Sequence, residues 1–138
     1  MRVSSLVLKA HGLIFSVLGF ILFLGTLVGR LKGVGMFSFL KENPVAAIGF
    51  HEAYVLIGFL GFACFLTSNC RNLLPWQCLI LIIHLFLIVV NISHWSFYSE
   101  LNMVEAGYIS TCMHVLFSSI EMILIIHDRK YRIFEVKK

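Results

Sequence analysis

Charge is what this sequence has least of. Only 13% of its 138 residues are Asp, Glu, Lys or Arg, against about 25% in an ordinary soluble domain. A water-soluble core of this length has to show far more charge to solvent, so that class is excluded. With only two prolines and ten glycines, collagen-like and Pro/Gly-rich disordered chains are excluded too. The four cysteines, at 64, 70, 78 and 112, form no C-x-x-C pair. Three of them fall near the face expected to be cytoplasmic, where thiols stay reduced, so a disulfide framework is not expected. Palmitoylation of Cys70 has only a weak signal. There is no internal repeat, low-complexity tract or separate soluble segment.

What the sequence does have is apolar length: 59% of it is hydrophobic, with 13 phenylalanines. A helix that crosses the ~30 Å hydrocarbon layer needs about 20 mostly apolar residues. Charged residues fence off four stretches of that order, at residues 10–29, 43–70, 72–99 and 106–127, and Glu52 and Glu121 are the only formal charges inside them. Spans are therefore expected near residues 6–29, 44–67, 75–97 and 106–127. Pro44 and Pro75 then fall in first turns, where a missing N–H costs nothing. A transmembrane β-barrel does not fit, because the runs are continuous rather than alternating. The first span reads as retained, since it is longer than a signal-peptide core and no small-x-small cleavage pattern follows it.

Orientation follows from Lys and Arg. One side collects Arg2, Lys9, Arg71, Arg129, Lys130, Arg132, Lys137 and Lys138, eight in all, and the other only Arg30, Lys32 and Lys41. The expectation is an all-α integral membrane protein: one domain over residues 1–138, a four-helix transmembrane bundle running up-down-up-down, with both termini cytoplasmic. The formal charge of +4 sits largely in the tail, residues 128–138. That fits an orientation anchor beside anionic lipid, at about 1 kcal/mol per base, and gives no reason to expect nucleic acid.

Several smaller features have a plain structural reading. The first loop, residues 30–43, carries Met36, Phe37, Phe39 and Leu40 and is expected as an interfacial amphipathic turn, with a lid as the sharper version. Gly12, Ser16 and Gly19 in the first span, and Gly49, Ala53, Gly58 and Gly61 in the second, let helix backbones approach, within one chain or in a homo-oligomer. Trp76 and Trp95 read as interfacial anchors. His127 reads as a partner for a helix C-terminus. The sequon Asn91-Ile92-Ser93 lies inside a span and is discounted.

Buried ionisable groups are costly in a bilayer, so each one is a functional candidate. Here they are His11, His51, Glu52, His84, His94, His114 and Glu121, with Asn91 beside them. His84 and Asn91 share a face of span three, and Ser110, His114, Ser118 and Glu121 form a stripe on span four, so both faces are expected to point into the bundle. Counting along the helices puts His51 and Glu52 at roughly 20 Å from the cytoplasmic boundary, Asn91 at roughly 22 Å, His114 at roughly 18 Å and His94 at roughly 27 Å. These five are expected as an outer cluster, able to hold a transition metal, to hold haem with His51 and His114 as the level pair, or to serve as a proton relay. His11 and Glu121 are expected as an inner pair, and His84 as a separate mid-membrane polar group at roughly 12 Å. No H-e-x-x-h metalloprotease pattern supports a catalytic reading, since Val55 stands where its second histidine belongs. No Glu-x-x-His di-iron pattern occurs either, and no catalytic residue is assigned. The leading expectation is a structural or interaction subunit, with a partner protein or a second copy beside it. A metal or haem binder comes next, then a membrane enzyme or proton-coupled carrier.

Overall fold

A computed structural model describes residues 2–70 and 72–136, with side chains among them up to residue 129. The described residues contain no β-strand. They form helices α1 (Val3–Lys32), α2 (Pro44–Thr67), α3 (Leu74–Ser93), α4 (Trp95–Glu100) and α5 (Val104–Val136), with a 3-10 turn at Ser38–Lys41. Helices α1, α2, α3 and the Val104–Arg129 part of α5 are each long and apolar enough to cross a membrane. The chain is a multi-pass membrane protein. It divides into two compact units, Met1–Arg71 and Asn72–Lys138.

In the first unit α1 and α2 form a hairpin. Gly33 closes α1 in the left-handed region (φ 69°), its N–H donating to the Gly29 carbonyl at 2.9 Å, as glycine does at a helix C-terminus. Asn43 opens α2 by accepting from the Ala46 N–H at 3.3 Å, with Pro44 in the first turn. Small residues set the contact. A Cβ on Gly12 would sit 2.6 Å from the Gly61 carbonyl oxygen, and one on Gly19 would sit 2.6 Å from the Gly58 nitrogen. Rising numbers on α1 meet falling numbers on α2, so the two helices run antiparallel.

The first loop packs part of its apolar side against the hairpin. Phe37 and Leu40 are 6% and 0% exposed, and with Ala47 they form a small core packed by Leu22, Phe39, Phe50 and Tyr54. The reason is local: in its last turn α1 presents Gly29 to the Phe37 backbone, where any side chain larger than hydrogen would collide. The Arg30 guanidinium then ties the loop back by donating to the Lys41 carbonyl at 3.0 Å. The loop caps its own hairpin.

In the second unit α3 stops at Ser93, short of the expected boundary at 97. His94 leaves helical geometry (φ −108°, ψ 27°), and the short α4 follows. Asn102 turns the chain with φ 54°, a conformation that Asn tolerates better than most residues. Helix α5 begins at Val104 and continues past the expected boundary at 127 as far as Val136. Arg71, Lys137 and Lys138, and the side chains of Lys130 and Arg132, on which much of the orientation and anionic-lipid readings rest, lie outside the described residues.

Candidate functional site

The polar face of α3 is periodic. Gln77, His84, Asn91 and Tyr98 follow one another at intervals of seven, the last of them on α4. A spacing of seven keeps one side of a helix facing a neighbour, drifting only about 20° per repeat. On α5 the same spacing joins Gly107, His114 and Glu121. Helices α3 and α5 meet along these two rows.

The middle layer is His84 against His114. Their Nδ1 atoms are 2.9 Å apart, with ring centroids 5.1 Å apart. His84 is 0% exposed, and its ring stacks on Phe117 at 5.4 Å, tilted by 17°. At that separation one Nδ1 donates and the other accepts, so the two rings hold opposite tautomers at this position. His84 thus belongs with His114, although counting from helix ends separates them by roughly 6 Å. The early end of α3 and the intervening α4 shift the register and close that gap.

One layer further along, the Asn91 amide donates to Ser110 Oγ at 3.0 Å and to Thr111 Oγ1 at 3.2 Å. Its carbonyl accepts from the Tyr98 hydroxyl at 2.9 Å. Thr111 passes the chain on by donating to the Gly107 carbonyl at 2.8 Å. Asn91 is 6% exposed and its partners are half-buried, so these bonds are partly sheltered from competing water. Burial pushes the Tyr98 phenol above its usual range. Gly107 leaves room for the Tyr98 ring, since a Cβ there would lie 3.0 Å from its Cγ.

At the other end of the seam Gln77 and Glu121 are 0% and 1% exposed, and Ser118 donates to the Val115 carbonyl at 2.9 Å. Both polar atoms of the Gln77 amide lack a hydrogen-bond partner among the described residues. His94 is exposed and turns back on its own helix, its Nδ1–H donating to the Val90 carbonyl at 3.0 Å.

The remaining expected site residues belong to the first unit. His51 is half-buried, with its ring edge-on to Phe23 at 5.7 Å. Glu52, next to it, is exposed. His11 is 2% exposed and packs edge-on to Phe15 at 4.5 Å. Among the described residues, no three His, Cys, Asp or Glu side chains converge as a metal would require.

Gln77, Tyr98 and Thr111 are members of the seam that spacing did not single out. The interval of seven from His84 and Asn91 was the available signal for the first two. For Thr111 there was none beyond its neighbour Ser110. The search for relatives returned nothing: no protein-family model, no curated protein and no solved structure matches this chain.

Proposed function

We propose that this protein is a structural or interaction subunit of a membrane assembly. In this reading it is a four-span, up-down-up-down bundle with both termini cytoplasmic, and its intramembrane polar groups hold its own helices together. The observation that supports it is the partnering across the second hairpin. His84 is met by His114, and Asn91 by Ser110, Thr111 and Tyr98. Groups already bonded across a helix pair act as interhelical glue, worth about 0.6 kcal/mol each on average.

The competing reading, a metal or haem site drawn from His51, Glu52, Asn91, His94 and His114, makes a different prediction. Elemental analysis and an absorption spectrum of detergent-purified protein separate the two. The subunit reading expects no stoichiometric transition metal and no Soret band. Near-stoichiometric metal, or a Soret band lost in His51→Ala or His114→Ala, would overturn it.

A further inference from the structure

Glu52 stands eight residues into α2, roughly 12 Å from the Pro44 end of that helix. A glutamate side chain is too short to reach water from that depth, as the longer Lys and Arg do by snorkelling. Yet it is exposed, and it has no hydrogen bond or ion pair among the described residues. Intramembrane carboxylates face a protein interior or a partner charge, because lipid offers neither. The rest of its face is apolar and open: Val45, Ile48, Leu56 and Phe59 are 79%, 59%, 67% and 67% exposed. Gly49, on the same side, has nothing within 4 Å of where a Cβ would stand, so another backbone can approach closely there.

We propose that this face of α2 docks a membrane-spanning helix of another protein that carries a Lys or Arg at the depth of Glu52. The choice of occupant follows from charge. Of the Lys and Arg within the described span helices, Arg30, Lys32 and Arg129 stand in terminal turns, and Lys9 lies over the Phe65 ring, thirteen residues along α2 from Glu52. A second copy packed in parallel would bring Glu52 against its own counterpart. The cation therefore comes from elsewhere. Burying the carboxylate against it, with Gly49 admitting the partner backbone, covers a face that is otherwise a polar defect in lipid. This inference rests on the interaction-subunit reading and supplies its partner class.

The test uses the full-length chain in phosphatidylcholine vesicles with two probe peptides. One is a polyleucine transmembrane helix with a single Lys at the matching depth, and the other is its all-Leu version. Energy transfer from labelled protein should report association with the Lys peptide at about tenfold lower peptide density than with the Leu peptide, a difference near 1.4 kcal/mol. Glu52→Gln should remove that advantage, Glu52→Asp should retain most of it, and Gly49→Leu should weaken it. Because Glu52 is exposed and has no hydrogen bond or ion pair among the described residues, the melting temperature of Glu52→Gln should match the parent. Equal association of both peptides, or an undiminished advantage in Glu52→Gln, would overturn the proposal. So would self-association lost in Glu52→Gln without any response to the Lys peptide, because the occupant would then be a second copy. A metal or haem finding would remove the subunit reading while leaving the peptide result to stand or fall on its own.

Discussion

Asn91 illustrates how a single residue decides a membrane hairpin. Its amide donates twice and its carbonyl accepts once, all three bonds going to partners on α4 and α5. An apolar side chain of similar size would leave Ser110, Thr111 and the Tyr98 hydroxyl to find new partners in a dry setting. Bonds of this kind measure about 0.6 kcal/mol on average and about 1.7 at most. Asn91→Leu is therefore expected to cost about 1–2 kcal/mol, read as a lower unfolding midpoint in bicelles, while Asn91→Asp should not restore it because a carboxylate cannot donate. An unchanged midpoint in Asn91→Leu would mean that the network contributes nothing net. The same residue shows why the sequon is structural: its amide nitrogen is already engaged inside the span.

At the scale of elements, the four spans were legible because charges fence them and the fences survive folding. The third span ended early only because His94 leaves helical geometry, which no charge or glycine announced. The pairing faces were legible unevenly. On α3 and α5 polar residues stand out against apolar neighbours, so the two stripes could be read. Which layer meets which depends on α4 and the Asn102 turn, and a count from helix ends misses it by more than a turn. On α2 nearly every position is apolar, so periodicity says nothing about which face meets α1. Only the small residues carry that information, and Glu52 was expected inside a cluster although it is exposed. The glycine contact makes a sharp contrast between two positions. Gly61→Val places methyl groups where the Ser16 nitrogen would already stand 2.5 Å from a Cβ, and overpacking of that kind costs about 1–3 kcal/mol or more. Gly49→Val, on open surface, should leave the unfolding midpoint within experimental scatter of the parent. Equal destabilisation by the two would contradict the α1–α2 packing.

For the whole molecule, the low charge that excluded a soluble fold has become a positive description. A multi-pass membrane protein places its apolar side chains toward lipid and keeps a buried polar seam along α3, α4 and α5. The candidate site was half legible: His114, Asn91 and the α5 stripe were read from spacing, whereas the His84–His114 pairing needed the register of the hairpin. The central claim is that this seam binds helix to helix. It is tested most directly by a double-mutant cycle on His84→Leu and His114→Leu, read from global unfolding of the full chain in bicelles. The two single losses should exceed the double loss by a coupling of about 0.6–1.7 kcal/mol. Strict additivity, with each substitution acting as though the other histidine were absent, would contradict it.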